Sequence, residues 1–316
     1  MQIMVNQSDI FEVILVGFPG LPDHLYNFVS AVMLLVYIIS LVANGSVIIL
    51  VSLNVQLHKP MYLIIANLAA SDLLFDTLTL PKLVARYWFG SSTMSFHVCV
   101  FQMFWIHHLG SLDSYLLLLM AIDRYVAVSQ PLKYSTIITN QKVFVACGFS
   151  WLILAPSTKI LTVIDALSIV LCSSNKINTL FCTNVSVLAL ACNDVAIKKQ
   201  AAFTSAMIVL LLPLAFILLS YAMIISVIAK SAHVNNWKKA FYTCSLHLFL
   251  VALYYIPRIF NYIVTNIPLV VIKADVNAVL LFLYSVVPHL ANPIVYFLQT
   301  KEIQQTLGNI LKMLRF

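Results

Sequence analysis

The chain alternates long apolar stretches with short polar segments, and this alternation predicts its elements. Seven apolar stretches each reach roughly 20 residues or more, the length of helix that crosses a bilayer core. They cover approximately residues 27–53, 60–86, 96–128, 143–166, 200–229, 238–265 and 274–299. Alternating segments of about ten residues, the pattern of an outer-membrane barrel, do not occur. The sequence therefore predicts an all-α membrane protein, a seven-transmembrane helix bundle.

The two chain ends complete the predicted organisation. We predict an extracellular N-terminal segment over residues 1–26, the seven-transmembrane domain over 27–299, and a short amphipathic cytoplasmic helix with a tail over 300–316. The N-terminal segment is too polar, and too interrupted by proline and glycine, for a signal peptide. The first span is therefore expected to act as the signal anchor.

Composition supports a membrane protein and excludes a soluble one. Hydrophobic residues make up 62% of the chain and charged residues 9%, whereas soluble domains have roughly 45–50% and 25%. The formal net charge is +7, but the basic residues lie near helix ends rather than in one patch. We therefore expect membrane lipid, and no nucleic acid, among the partners of this chain.

Charge and glycosylation sequons predict which side of the membrane each terminus faces. With the N-terminus outside, the inner segments hold ten Lys and Arg residues against eight elsewhere, and several of the eight lie within or beside a span. The positive-inside rule then favours an external N-terminus in a multi-pass plasma-membrane protein. Asn6 and Asn184 begin Asn-X-Ser sequons on that side and are predicted glycosylation sites. Asn44 begins a third sequon deep in the first span, where we interpret it as a packing residue.

The six cysteines fall into two groups. Cys147 and Cys244 lie inside or at the inner end of spans and are expected to stay reduced. The other four are predicted on the outer side of the membrane: Cys99, Cys172, Cys182 and Cys192. Four cysteines in an oxidising compartment suggest two disulfides, and the sequence alone allows three pairings. A bond from the long loop to the third span would lower the entropy of the loop and shape a lid over the bundle.

A charged triplet, Asp123-Arg124-Tyr125, lies at the inner end of the third span. A full charge near lipid is costly unless it faces the bundle interior, pairs with another charge or reaches the headgroups. Asp123 offers Arg124 a local partner, which indicates a latch at the cytoplasmic end of the bundle. The alternative is a juxtamembrane charge pair that only sets topology.

The seventh span contains a proline that predicts a hinge. Pro293 removes a backbone donor, which frees a carbonyl and allows a bend. Asn292 can satisfy the freed carbonyl, and Tyr296 lies one turn further inward. The alternative is an ordinary proline kink in a static helix, but Arg124 at matching depth on the third span favours the moving hinge.

Several segments resemble those of a known receptor family. A resemblance to the rhodopsin-like G-protein-coupled receptors rests on the triplet at Arg124, Asn292-Pro-Ile-Val-Tyr296, Asn44, Leu68-Ala-Ala-Ser-Asp72 and Trp151. A narrower resemblance to olfactory receptors rests on Leu57-His-Lys-Pro-Met-Tyr62, residues 120–134 and Lys239-Ala-Phe-Tyr-Thr-Cys-Ser-Leu-His247. The cysteine spacing of the second outer loop is also typical of olfactory receptors. The resemblance runs from about residue 10 to residue 310.

The olfactory-receptor resemblance implies a function and a set of residue roles. Such a receptor binds a small-molecule odorant and activates a heterotrimeric G protein of the olfactory stimulatory type. The residues implied in coupling and activation are Asp123, Arg124, Tyr125, Asn292, Pro293 and Tyr296. The implied disulfides are Cys99–Cys182 and Cys172–Cys192.

One branch of the family gives the better match. Residues 103–107, Asp113 and Thr300-Lys301 resemble the fish-like, or class I, olfactory receptors. The chain also departs from the family pattern, with Ser129 in place of the usual cysteine and His289 where class I members tend to carry proline. Neither departure removes a signalling element.

Three carboxylates lie within the predicted bundle. Asp72 and Asp76 are four residues apart and share one face of the second span, and Asp113 lies on the third. Buried together, three carboxylates cannot all stay charged without compensation. One solution is a protonated hydrogen-bond network. The other is a sodium ion between Asp72 and Asp113, since rhodopsin-like receptors often hold sodium at the aspartate that matches Asp72; no other cofactor is expected.

Two helix stripes predict a ligand site between the outer halves of the third, fifth, sixth and seventh spans. The stripe on the third span consists of His107, Gly110, Ser111 and Ser114. The stripe on the sixth span consists of Tyr255, Arg258, Ile259 and Tyr262. Gly110 leaves room for a small molecule, and an arginine within a span needs an anion, water or a route to the interface. Arg258 therefore either binds an odorant carboxylate, or snorkels outward or pairs with a loop acid.

Catalytic motifs are absent from the sequence. It contains no nucleotide-binding glycine loop, no metal-ligand cluster of His and Cys, and no nucleophile elbow. An enzyme is therefore not expected. The alternatives to an odorant receptor are a receptor for a non-odorant small metabolite and a transporter, although the internal repeats or paired broken helices of a transporter are not seen in the sequence.

Overall fold

The computed structural model describes residues 12–172, 174–230, 237–266, 273–299 and Gln304. Its helices are α1 (Tyr26–Leu53), α2 (Pro60–Trp88), α3 (Phe96–Ser129), α4 (Tyr134–Ile137), α5 (Asn140–Phe149), α6 (Ala155–Ser157), α7 (Ile160–Leu167), α8 (Asn184–Leu188), α9 (Ala196–Lys230), α10 (Trp237–Asn266) and α11 (Ala274–Gln299). Its strands are β1 (Glu12–Leu15), β2 (Thr93–Ser95) and β3 (Lys176–Ile177). The predicted glycosylation site Asn6 and, apart from Gln304, the predicted cytoplasmic helix and tail over 300–316 lie outside the described residues.

The long helices form the predicted seven-helix membrane bundle. Within the described residues, six helical stretches are long and apolar enough to cross a membrane: Asp23–Leu53, Pro60–Trp88, Asn140–Leu167, Ala196–Ala229, Cys244–Thr265 and Asp275–Leu298. The remaining predicted span is α3, which is 34 residues long. It is more polar because it is the central helix, packed against α2 and α9, and it buries polar side chains such as Gln102, His108 and Asp113.

The fourth span is broken where the sequence predicted one helix over 143–166. α5 passes into a π-helical turn at Ser150–Leu154 and then into α6, and α7 begins only at Ile160. Pro156 lacks the backbone N–H that would continue the hydrogen-bond ladder, and a π-turn shifts the register of that ladder. The break leaves Lys159 at the start of α7 with its side chain buried.

A three-stranded sheet, which the sequence did not predict, covers one end of the bundle. β1 pairs antiparallel with β2 and parallel with β3, where Ile14 lies opposite Lys176. Val13 and Leu15 alternate with more exposed neighbours and are buried in the core cluster. We call this end of the bundle the sheet end, and we call the opposite end, where the charged triplet lies, the Arg124 end.

Two disulfides hold the loop between α7 and α9. Cys182 is bonded to Cys99 in the first turn of α3, and Cys172 is bonded to Cys192 within the loop. These are the pairs that the olfactory-receptor resemblance implies. The Cys182 N–H also donates to Gln102 Oε1 at 3.0 Å. The loop is therefore fixed to α3 by a covalent bond and by a hydrogen bond from its backbone.

Candidate functional site

Two adjoining cavities lie between the helices at the sheet end. The larger, which we call the vestibule, has a volume of about 460 Å³, and the smaller, the inner pocket, has a volume of about 50 Å³. Six residues line both cavities: His107, Lys159, Thr183, Ala206, Tyr262 and Tyr284. Lys176 of β3 lines the vestibule, whereas Ser114 and Arg258 line the inner pocket. The inner pocket therefore continues the vestibule towards the centre of the bundle.

The structure brings together most of the ligand-contact residues predicted from the two stripes. Six of them line the inner pocket: His107, Gly110, Ser111, Ser114, Arg258 and Tyr262. Tyr255 and Ile259 line neither cavity. Tyr255 instead contacts the ring of Tyr254 edge-on, with 4.9 Å between ring centroids. A helix advances about 100° per residue, so Ile259 points well away from Arg258 and packs at the side of the core cluster.

His107 faces both cavities as a hydrogen-bond acceptor. Its Nε2 accepts the backbone N–H of Asn184 at 3.1 Å. An imidazole nitrogen that accepts a hydrogen bond carries no proton, so the ring is neutral in this arrangement. The adjacent His108 points elsewhere and packs against the rings of Phe104 and Trp151. His107 therefore shapes the polar wall of the pocket but does not supply a positive charge for an anion.

Arg258 points into the bundle. Its side chain is buried, and Cζ lies 4.0 Å from the centroid of the Tyr254 ring. Nη1 donates to the carbonyl oxygen of Gly110 at 3.3 Å and to the hydroxyl of Tyr254. A Cβ at Gly110 would lie 3.2 Å from that Nη1. Gly110 therefore makes room for the guanidinium of Arg258, whereas the sequence suggested that it makes room for a ligand.

The surroundings of Arg258 remove two of the alternatives left open by the sequence. The guanidinium does not snorkel, because it lies over Tyr254 and also faces the ring of Tyr284 at 5.4 Å. Among the residues that the structure describes, no Asp or Glu lies within 4.0 Å of Arg258 to form an ion pair. Arg258 is therefore a buried cation on a cavity wall.

Lys159 is a second buried cation at the cavities, and sequence reasoning counted it only towards membrane topology. It is 6% exposed and lines both the vestibule and the inner pocket. It forms no ion pair within 4.0 Å with any acid of the described ranges. A lysine within an apolar span was a signal in the sequence. Its inward direction depends on the break near Pro156, which the pattern did not reveal.

The buried carboxylates lie together with His289, which the sequence showed only as a departure from the family pattern. Nδ1 of His289 is 2.8 Å from Asp76 Oδ1, and Nε2 is 3.5 Å from Asp72 Oδ1. Ligand atoms of Asp72, Asp113 and His289 all lie within 4.8 Å of one another. One ring thus lies against two carboxylates of α2 and close to a third on α3.

Neutral side chains complete the hydrogen bonds of this acid cluster. The donors are Ser40 to Asp76 at 2.5 Å, Ser71 to Asp113 at 2.6 Å, and Asn292 to Asp72 at 2.7 Å. Hard cations take oxygen ligands, whereas imidazole nitrogen suits metals such as zinc and copper. A nitrogen of His289 lies beside the carboxylates for which a sodium ion was one of the two predicted solutions. The residues therefore fit an internal histidine bridge better than a sodium ion.

At the Arg124 end, Asp123 has a partner other than Arg124. Its Oδ1 accepts the hydroxyl of Tyr134 at 2.6 Å. Burial, with the hydrogen bond to the Asp123 carboxylate, raises the pKa of Tyr134 well above its ordinary value. Within the described residues Asp123 and Arg124 form no ion pair inside 4.0 Å. Arg124 acts electrostatically on Tyr221 and His247, which share a hydrogen bond of 2.5 Å.

The predicted hinge residues of α11 face other helices. Asn292 donates to Asp72 rather than to a carbonyl freed by Pro293. Tyr296 is fully buried, and its hydroxyl contacts α3. Tyr125, the last residue of the charged triplet, is partly buried against the core cluster. The side chains predicted to take part in activation therefore connect α11 to α2 and α3.

Asn184, the second predicted glycosylation site, lies inside the folded bundle. This side chain is buried, lines the vestibule, and belongs to a residue whose backbone N–H bonds to His107. A glycan at this position would have to displace the packing of the folded vestibule. Asn184 lies at the start of α8, where the side chains of Thr183 and Ser186 cap the helix.

Comparison with known proteins agrees with this geometry. A family model described as "Olfactory receptor" matches residues 33–314. Olfactory receptor 52B6 of Homo sapiens is 33% identical, over 98% of this chain and 93% of that protein. Olfactory receptor 52K1 of Homo sapiens is 31% identical over 92% of each chain, and Olfactory receptor 1E2 of Gorilla gorilla gorilla is 32% identical over 97% of this chain and 96% of that protein. The chain therefore belongs to the olfactory receptor family of G-protein-coupled receptors, multi-pass plasma-membrane proteins that are not enzymes.

Proposed function

We propose that this receptor binds a small acidic odorant in the vestibule and inner pocket and then activates a stimulatory heterotrimeric G protein. The observation that supports an acidic ligand is Arg258, a buried guanidinium on the wall of the inner pocket. It has no acidic partner within 4.0 Å in the described part of the chain. A carboxylate would give this guanidinium a charged, bidentate partner.

The remaining walls suit an alkyl tail. Apolar side chains of the inner pocket are Phe75, Ile106, Phe181, Ala206, Val209 and Leu210. Each methylene group removed from water contributes about 0.8 kcal/mol. Potency should therefore rise with the chain length of the acid until the cavity is full, and then fall.

The proposal places the sheet end outside the cell and the Arg124 end inside. Both disulfides belong to the loop at the sheet end, and disulfides form and persist in oxidising compartments. Lys176 of β3 lines the vestibule, so the mouth of the site lies at this end. The N-terminus is then extracellular, membrane lipid surrounds the bundle, and the G protein meets the Arg124 end.

The test is a ligand panel in cells that carry the stimulatory G protein, with cyclic AMP as the readout. Linear carboxylic acids are compared with alcohols and ketones of the same chain length, and the acids should be the stronger agonists. Responses to neutral ligands alone would overturn the acidic ligand but not the receptor. Ligand uptake by the purified protein in vesicles, without ligand-dependent nucleotide exchange on the G protein, would indicate a transporter.

A further inference from the structure

Two buried cations share the ligand site. Lys159 reaches it from the broken fourth span, and Arg258 reaches it from α10. They are 6% and 7% exposed, and both line the inner pocket. They also repel each other electrostatically. The inner pocket therefore concentrates positive charge within a small, largely apolar volume.

The cavities offer no negative charge to balance these cations. Neither Asp nor Glu occurs among the residues that line the vestibule or the inner pocket. Asp113 acts on Arg258 electrostatically, but its carboxylate accepts from Ser71 and belongs to the acid cluster. Although Lys159 is buried, its ammonium group donates no hydrogen bond to any residue that the structure describes. Isolated buried charge is costly unless it is paired.

The mouth of the vestibule adds charge of the same sign. Lys176 and Lys199 line it together with Lys159. A cleft lined by one sign of charge attracts ligands of the opposite sign and raises their local concentration. One carboxylate balances one buried cation, so a ligand with a single negative charge leaves the other cation unpaired.

We propose that the site is built for a small organic dianion with two carboxylates, one bound by Arg258 and the other by Lys159. This rests on the proposed function and names its ligand class more closely. The apolar wall of the inner pocket then contacts the alkyl link between the two carboxylates. Lys159 is the residue that distinguishes a dicarboxylate from a monocarboxylate of the same length.

The experiment compares linear monocarboxylates and dicarboxylates of equal carbon number on the full-length receptor, with cyclic AMP as the readout. In the native receptor the best dicarboxylate should be at least about tenfold more potent than its matched monocarboxylate, the scale of coupling between close charge pairs. In Lys159→Gln the potency of the dicarboxylate should fall to that of the monocarboxylate, whose own potency should change little.

Two matched variants separate the role of Lys159 from general effects. Lys159→Arg keeps the charge and should keep the preference for dicarboxylates. Lys199→Gln removes an exposed charge from the vestibule and should shift both acids alike, by less than about fivefold, the range for exposed charges. Surface staining of an N-terminal epitope tag shows whether each variant reaches the membrane.

Each outcome decides the proposal. Equal potency of the two acids on the native receptor would overturn it without any variant. Equal loss of both acids in Lys159→Gln would show that the two cations hold one carboxylate together, which also overturns it. Activation by neutral odorants but by no acid would remove the acidic ligand class altogether. Ligand uptake without nucleotide exchange would instead contradict the receptor function itself.

Discussion

At the residue scale, the position of Arg258 depends on Gly110, because the absence of a side chain at Gly110 leaves room for the guanidinium. Replacing Arg258 with Leu removes the charge that the ligand carboxylate is proposed to meet. We expect Arg258→Leu to cost acids about 2–5 kcal/mol in apparent affinity, the range for losing one partner of a buried charge pair. The matching alcohols and ketones should keep or gain potency. Concentration–response curves in the cyclic AMP assay measure both.

A companion variant tests the same contact without removing the charge. The Cβ of Gly110→Ala would meet Nη1 of Arg258 at 3.2 Å, so the guanidinium must shift. Acid potency should fall by less than in Arg258→Leu, because the charge remains. If acids and alcohols lose potency equally in Arg258→Leu, the arginine is a structural residue and the acidic ligand is excluded.

At the Arg124 end, the partner of Asp123 in the latch is the hydroxyl of Tyr134. Tyr134→Phe removes the hydroxyl that Asp123 accepts, a charge-assisted hydrogen bond worth about 1.5–3 kcal/mol. Basal cyclic AMP should rise at equal surface expression, as it should for Asp123→Asn. Ser135→Ala, at an exposed neighbouring position, is the control and should leave basal signalling unchanged. If basal signalling is unchanged in Tyr134→Phe, the hydrogen bond only stabilises the loop and does not restrain activation.

The residue-level predictions from sequence succeeded where helical spacing decides direction. His107 and Ser114 on α3 line the inner pocket because the stripe repeats every three to four residues. The structure does not place Tyr255 and Ile259 on the cavity walls: Ile259 points about 100° away from Arg258, and Tyr255 lies about one turn further from the sheet end. Lys159 was missed because its direction depends on a break in its helix.

At the element scale, apolar length predicted the spans and could not predict the shorter elements. β1 has four residues, so its apolar pattern does not differ from that of a loop. Its pairing partners come from distant parts of the chain. The π-helical turn Ser150–Leu154 is five residues long and leaves no periodic signal in the apolar pattern.

The two disulfides should differ in their effect on the loop that they hold. Cys172 and Cys192 are 20 residues apart, and Cys99 and Cys182 are 83 apart. From loop-closure entropy, the first bond should stabilise the folded chain by about 3 kcal/mol and the second by about 4.5 kcal/mol. Cys172→Ser, Cys192→Ser and the double variant should show the same loss of surface expression, as bonded partners do. Cys99→Ser should show a larger loss, since the loop then separates from α3.

A different result would change the assignment of these bonds. A double variant of Cys172 and Cys192 that is clearly worse than either single variant would show that the two residues act independently. Peptide mapping by mass spectrometry under non-reducing conditions provides the direct check, and a peptide that links Cys172 to Cys182 would contradict the structure.

At the scale of the whole molecule, the acid cluster joins four helices at the centre of the bundle. Ser40 of α1 donates to Asp76 of α2, His289 of α11 lies against the same carboxylate, and Asp113 brings in α3. A polar network in a low-dielectric interior is strong when its members are satisfied and costly when they are not. The cluster should therefore set the balance between the resting and active arrangements of the helices.

The histidine bridge gives a prediction about sodium. Because His289 already lies against both Asp72 and Asp76, agonist potency in the native receptor should not change when sodium is exchanged for N-methyl-D-glucamine at fixed ionic strength. His289→Ala removes the ring, so potency should then fall as sodium rises. Asp113→Asn in the His289→Ala background should weaken that dependence. Native potency that falls with rising sodium would favour an ion between Asp72 and Asp113 instead.

Assembly of the three-stranded sheet has to wait for most of the chain to be made. Its strands come from before α1, from between α2 and α3, and from beyond α7. During synthesis from the N-terminus, four spans enter the membrane before β3 leaves the ribosome. Until then the edge of β1 that β3 will cover presents unpaired backbone groups, which can pair with other chains. The nascent receptor is therefore most open to misassembly between insertion of its first and fourth spans, and arrival of the loop between α7 and α9 ends that interval.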